Sequence, residues 1–135
     1  MEIKVGKAVA VALAVVLCMT CTSAIAKGKA RAARYPAALH GVWLGSGPEY
    51  CKHPDSEGSD SRFVIAQSKL TGYEDWSEPV HIQQISKTPR AWRVASILHR
   101  DDYTFDQVSI MLLSSKGSLL TVVSEKNSMS YYRCP

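Results

Sequence analysis

Short segments rich in apolar, β-branched and aromatic residues recur along the chain from residue 41 onward, and each ends at a group of turn residues. Runs of this length and composition are typical of β-strands. In the segment at residues 91–99, the side chains of Trp92, Val94 and Ile97 are expected to face the core. The predicted strands cover residues 41–44, 62–67, 69–73, 80–85, 91–99, 107–113, 118–123 and 129–134.

The connections between these segments are short. Residues 88–90 predict a turn, and residues 114–117 predict a hairpin connection in which Gly117 adopts a positive φ. No later segment has a sustained helical period, although residues 101–105 are compatible with one helical turn. The pattern therefore predicts an all-β fold, an antiparallel meander of seven or eight strands closed or nearly closed into a small barrel. A two-sheet sandwich is the alternative.

The first 26 residues have a different pattern. Lys4 and Lys7 make the start positive, and residues 8–18 form an unbroken apolar run. Ala24 and Ala26 supply small residues of the kind that signal peptidase requires at its cleavage site. This segment, the leader, predicts a helical secretory signal peptide and a periplasmic or secreted protein.

Two other interpretations of the leader remain open. A retained transmembrane helix is one, but the apolar run is short beside the roughly 20 residues that a bilayer requires. A lipoprotein acylated at Cys18 or Cys21 is the other, although the residues before both cysteines match the processing pattern poorly.

Charge divides the chain into three parts: the leader (1–26), a flexible basic tail (27–38) and a barrel domain (39–135). The net charge is +4. The chain from Tyr35 onward has ten basic and eleven acidic residues, so the folded body is nearly neutral. Nucleic-acid-binding domains carry a basic face, which makes nucleic acid an unexpected partner. The basic residues of the tail are Lys27, Lys29, Arg31 and Arg34.

Two cysteines, Cys51 and Cys134, follow the leader. An even number of cysteines in an oxidising compartment predicts a disulfide bond. In a closed meander the first and last strands are neighbours, so this bond would join the two ends of the barrel sheet. The alternative is a nucleophile pair of Cys51 with His53.

Gly41, Val42 and Trp43 resemble the Gly-x-Trp start of lipocalin-like barrels, in which the Trp plugs one end. From residue 39 to residue 134 the chain is similar to a group of small exported proteobacterial β-barrel proteins of unknown function. That resemblance implies a fold and a compartment, and no chemistry. Its residues are Trp43, Cys51, Ser59-Asp60-Ser61-Arg62, Gly72-Tyr73-Glu74 and Tyr132-Arg133-Cys134.

The most promising surface site is the run Tyr73, Glu74, Asp75 and Trp76, in which two aromatic residues flank two acids. Exposed Tyr and Trp often anchor protein interfaces, so this run predicts a partner-binding knob. Alternatively, Trp76 folds beneath its loop and caps the barrel.

Other candidate sites have weaker patterns. His81 and His99 could face each other across adjacent strands, but zinc needs further ligands and none is evident. Residues 55–60 form an acidic loop that lacks the spacing of an EF-hand calcium site. The sequence predicts no metal site, no cofactor and no catalytic residue. A last carboxylate cluster, which we assign to a strand connection, comprises Asp101, Asp102 and Asp106.

The chain has none of the common nucleophile, phosphate-loop or zinc-protease motifs, which argues against an enzyme. We expect an exported monomeric binding protein, without a membrane segment once the leader is cleaved, that acts on a protein partner as inhibitors and immunity proteins do. The alternative is a lipocalin-like carrier of a small apolar ligand. A hollow barrel would favour the carrier, and an interior filled by side chains would favour the protein partner.

Overall fold

The computed structural model describes residues 32–52 and 59–135, so the leader, residues 27–31 of the expected tail and residues 53–58 lie outside the described residues. In the described part, three 3₁₀ turns and eight strands follow one another. The 3₁₀ turns are Ala37–Leu39, Pro48–Lys52 and Ser59–Ser61. The strands are β1 (Gly41–Leu44), β2 (Arg62–Ile65), β3 (Leu70–Thr71), β4 (Asp75–Lys87), β5 (Arg90–Arg100), β6 (Tyr103–Leu113), β7 (Leu119–Val123) and β8 (Ser128–Cys134).

The sheet is an antiparallel meander in which every strand pairs with the next one in the chain. The first and last strands also pair, with Val42 opposite Cys134 and Leu44 opposite Tyr132. The sheet therefore closes into an eight-stranded barrel, which confirms the predicted fold class and excludes the sandwich. Closure pairs β1 with the last residues of β8, from Tyr132 to Cys134, so the sheet has no unpaired edge along that stretch.

Strand β4 is longer than the apolar pattern predicted, and its pairing with β5 contains register shifts. Between Pro79 and His81 the pairing with β5 skips a residue, so Val80 bulges out and is 58% exposed. A bulge of this kind reverses which side of the strand faces inward. As a result Ser77 before the bulge and Ile82 after it both face the barrel interior, although their spacing is odd.

Two expectations about the neighbouring strands are wrong. Residues 103–105 begin β6 and are not helical; the tight turn before them is made by Asp101, whose φ is +49°. Ile97 faces outward, because Ser96 is buried on the inner face and successive side chains of a strand alternate. Trp92 and Val94 face the core as expected.

One end of the barrel is filled by side chains, and we call it the closed end. Trp43 and Leu39 are completely buried there, and the Trp43 indole N–H donates to the Leu39 carbonyl at 2.9 Å. Tyr35, from the segment expected to be a flexible tail, is 3% exposed and packs in the same cluster. The other buried members are Phe63, Ile65, Trp92, Val94, Met111, Leu113 and Leu120.

Arg133 also belongs to the closed end. Its guanidinium lies over the Trp43 ring, with Cζ 4.3 Å from the ring centroid. It donates to the carbonyls of Gly117 (2.7 Å), His40 (2.6 Å) and Ala38 (2.6 Å). One side chain thereby joins β8, the β6–β7 connection and the first 3₁₀ turn.

The predicted disulfide is present between Cys51 and Cys134. Cys51 lies in the second 3₁₀ turn, which contacts β1 and β8. Leu44 points to the opposite side of β1 from Trp43 and is nevertheless only 1% exposed. The turn and its disulfide therefore cover part of the outer surface where the barrel closes.

Gly117 provides a test of the hairpin between β6 and β7. Its φ is +73°, as predicted, and an added Cβ would come no closer than 3.9 Å to another side chain or backbone atom. Gly117→Ala should therefore lower the free energy of unfolding by about 1 kcal/mol, through backbone conformation alone. Urea unfolding checks this, with Ser115→Ala in the same connection as the control. Equal stability of the two variants would contradict it.

Candidate ligand cavity

The end of the barrel opposite Trp43 and Arg133 is open, and we call it the open end. A cavity of about 1220 Å³ enters the barrel there. Its mouth is formed by the connections β3–β4 and β7–β8, by the segment before β2, and by the adjoining ends of β5 and β6.

The cavity exists because small residues occupy inward positions at mid-barrel. Ser77, Ser96 and Ser109 lie on three successive strands, β4 to β6, and are 3–5% exposed. Large apolar residues at the equivalent positions nearer the closed end, such as Trp92 and Leu113, fill the interior. Serine side chains are too short to meet across an eight-stranded barrel, so space remains above them.

Hydroxyl groups form the floor of this cavity. The Tyr35 phenol lies 3.4 Å from the Ser77 hydroxyl. Burial raises the pKa of Tyr35, against the smaller opposite effect of the Ser77 hydrogen bond, so the phenol stays uncharged at neutral pH. The Ser96 and Ser109 hydroxyls line the cavity and have no hydrogen-bond partner within residues 32–52 and 59–135.

The walls above the floor combine apolar side chains with polar ones such as Gln107. Phe63 and Tyr131 pack edge to face, with ring centroids 4.6 Å apart. The pKa of Tyr131 is raised, mainly by burial and also by the negative charge of Asp75, so this phenol is neutral as well. The remaining apolar wall residues are Leu70, Leu98, Met111, Val122 and Met129.

Charged residues are confined to the mouth. The Arg100 guanidinium donates to the Asp75 carboxylate at 2.6 Å, and this hydrogen bond raises the pKa of Arg100. Five acidic and three basic residues of the described chain line the mouth, so its charge is negative. They are Asp60, Glu74, Asp75, Asp106 and Glu125 against Arg62, Arg100 and Lys126.

The structure separates the four residues that the sequence suggested as one surface site. Tyr73, 66% exposed, and Glu74 lie in the β3–β4 connection at the mouth, and Asp75 is on its rim. Trp76 neither caps the barrel nor projects from it. It lies on the outer face, its ring stacked on His99 with centroids 3.7 Å apart and covered on the other side by Lys69.

The other candidates are dispersed. His81 is opposite Ala95 and His99 is opposite Trp76, so the two histidines do not face each other. Residues 32–52 and 59–135 contain no group of three metal-ligating side chains. Cys51 is consumed by the disulfide and is not a nucleophile, while His53 and most of the acidic loop lie outside the described residues. Asp101 and Asp102 form the β5–β6 turn, and Asp106 lies within β6.

Sequence reasoning missed the three buried serines and Tyr35, and it assigned no structural role to Arg133. A partial signal was available, since Ser96 and Ser109 lie an even number of residues from the core residues Val94 and Met111 on the same strands. The third serine could not be assigned to the interior in this way, because the bulge at Val80 interrupts the alternation along β4.

No family model matches the chain, and neither the curated proteins nor the solved structures contain a significant match. Within the described residues, no helix is long and apolar enough to cross a membrane.

Proposed function

We propose that this protein is an exported carrier that binds a small amphipathic molecule in the open end of its barrel. The observation that carries the proposal is the cavity with unpartnered hydroxyls at its floor. An export route is supported by the leader and by the Cys51–Cys134 disulfide, which suits an oxidising compartment such as the periplasm or the outside of the cell.

The dimensions of the cavity support a small-molecule ligand. Pockets for small molecules have volumes of roughly 300–1,000 Å³. The volume of about 1220 Å³, which includes the wide mouth, leaves room for one ligand of drug-like or lipid-like size. An eight-stranded barrel has an interior that side chains can fill or that one small ligand can occupy.

The chemistry of the lining indicates an amphipathic ligand more than a purely apolar one. Burying a hydroxyl without a hydrogen bond is costly, so Ser96 and Ser109 favour a guest with a polar group at its inner end. The apolar wall around Phe63 and Leu98 favours a hydrocarbon body above that group.

A protein partner is the second candidate, supported by the exposed aromatic residues near the mouth. Tyr103 is 67% and Phe105 52% exposed, and their rings are 6.3 Å apart. With Tyr73 they form an aromatic rim of the kind that anchors interfaces. An inhibitor or immunity-like protein would use this rim, and its partner would need no access to the serines.

Nile red, a neutral dye whose fluorescence increases in apolar surroundings, distinguishes the two candidates. We expect it to bind the purified, oxidised protein with a blue-shifted emission. Ser96→Leu, which places a branched side chain in the cavity, should weaken this binding at least about tenfold.

Ser130→Leu serves as the matched control, because Ser130 is exposed and its hydroxyl bonds to Thr121 on β7. Circular dichroism verifies that both variants are folded. If Ser96→Leu binds the dye as well as the control does, the cavity is not the binding site. The second candidate would be favoured by a partner protein whose binding is lost when Tyr73 and Tyr103 are replaced and is retained in Ser96→Leu.

A further inference from the structure

We propose that the cavity selects its ligand by charge: it accepts amphiphiles with an uncharged hydrogen-bonding group at the buried end and a neutral or positively charged group at the mouth, and it discriminates against fatty-acid-like anions. This inference rests on the proposed carrier function and assigns a chemical class to its ligand.

The inner end of the ligand is determined by the floor. Ser96 and Ser109 are 5% and 3% exposed, and their unpartnered hydroxyls line the cavity. Tyr35 is neutral, and no charged side chain of the described residues lies beside them in the buried cluster. A buried charge needs an opposite charge or several hydrogen bonds to offset its desolvation. The floor therefore suits a hydroxyl, carbonyl or amide group.

The outer end is determined by the mouth. Arg100 is already bonded to Asp75, which leaves four carboxylates facing two other cations in the described lining. The four are Asp60, Glu74, Asp106 and Glu125, and the two cations are Arg62 and Lys126. This negative potential attracts an ammonium group and repels a carboxylate.

The aromatic groups around the mouth act in the same direction. Tyr131 and Phe63 line the wall, and the rings of Tyr73 and Phe105 are exposed at the rim. The face of an aromatic ring carries partial negative charge and attracts cations, most effectively where water is partly excluded. An amine or quaternary ammonium would therefore gain from the rings as well as from the carboxylates, whereas an anion gains from neither.

Three twelve-carbon probes test the selection: dodecanediol, ω-aminododecanol and ω-hydroxydodecanoate. All share a hydroxyl at one end and differ in the group at the other end, which is a hydroxyl, an ammonium or a carboxylate. They are compared by displacement of Nile red below their aggregation concentrations. We expect the amino alcohol and the diol to displace the dye and the hydroxy acid to bind at least about tenfold more weakly than the amino alcohol. The double variant Glu74→Gln/Glu125→Gln should reduce that difference to about threefold.

Glu78→Gln is the control for charge, since Glu78 is exposed on β4 and does not line the cavity. The double variant Ser96→Ala/Ser109→Ala should bind dodecanediol about threefold to tenfold more weakly than the wild-type protein does, whereas Ser130→Ala should bind it equally well. Equal or tighter binding of the hydroxy acid would overturn the charge selection and leave the carrier function standing. Displacement by none of the probes, with Nile red still bound, would overturn the assigned class. Absence of Nile red binding would overturn the carrier function itself.

Discussion

Replacing both cysteines, in Cys51→Ser/Cys134→Ser, should lower the free energy of unfolding by about 4–5 kcal/mol. The bond joins residues 83 positions apart, and chain-entropy reasoning assigns about that value to a loop of this length. Small domains are stable by only about 5–15 kcal/mol, so this loss is a large part of the total. Urea unfolding monitored by circular dichroism measures it, and the midpoint should fall without a loss of cooperativity.

Reduction provides the matched control for this prediction. A reducing agent should destabilise the wild-type protein to the same extent and leave the double variant unchanged. Without the bond, the second 3₁₀ turn should no longer cover Leu44. Because an apolar side chain then becomes exposed on the outer surface, an apolar dye should bind there more strongly. A stability difference below about 1 kcal/mol would show that the β1–β8 pairing closes the barrel without help from the bond.

Arg133→Met should lower the free energy of unfolding by about 2–4 kcal/mol. The variant loses three hydrogen bonds from a charged donor and leaves the carbonyls of Ala38, His40 and Gly117 to find other partners. Methionine retains an apolar contact with Trp43, which limits the loss. Burial, and then the charge of Arg90, lowers the pKa of Arg133, yet a guanidinium remains protonated at neutral pH.

Two further variants identify the cause. Arg133→Lys keeps the charge but has no planar fork to reach three carbonyls at once, so it should retain only a minor part of the stability. Arg93→Met removes an exposed arginine on β5 and should change stability by less than about 0.5 kcal/mol. If Arg133→Lys has the same midpoint of urea unfolding as the wild-type protein, the three hydrogen bonds to carbonyls do not stabilise the closed end.

Prediction from sequence worked best where local chemistry decides structure. The eight apolar segments all became strands, because β-branched and aromatic residues between turn residues have few other stable conformations. Boundaries were poorer in β4 and β6, which extend over polar residues such as Glu78 and Thr104. Pairing with long neighbours stabilises these positions, and local composition does not report such pairing.

The candidate site was harder to anticipate because it depends on register. A single bulge at Val80 decides that Ser77 and Ile82 share the inner face, and a one-residue change in register exchanges the two faces of a strand. Trp76 and Asp75 are adjacent in the chain, yet the first lies on the outer face and the second on the cavity rim. Because these residues are adjacent in the sequence, we expected them on one surface, but side chains alternate along the strand and place them on opposite sides.

The sequence by itself determined the strand segments, the positive φ of Gly117 and the pairing of Cys51 with Cys134, because each follows from local residue preference or from the number of cysteines after the leader. Only the tertiary structure decided that the barrel is closed at one end and hollow at the other. That outcome depends on which side chains meet across the interior: Arg133 contacts carbonyls 93 and 95 positions earlier in the chain, and three serines on different strands leave the open end unfilled. Contacts between such distant residues arise from strand register and closure, which no local pattern encodes.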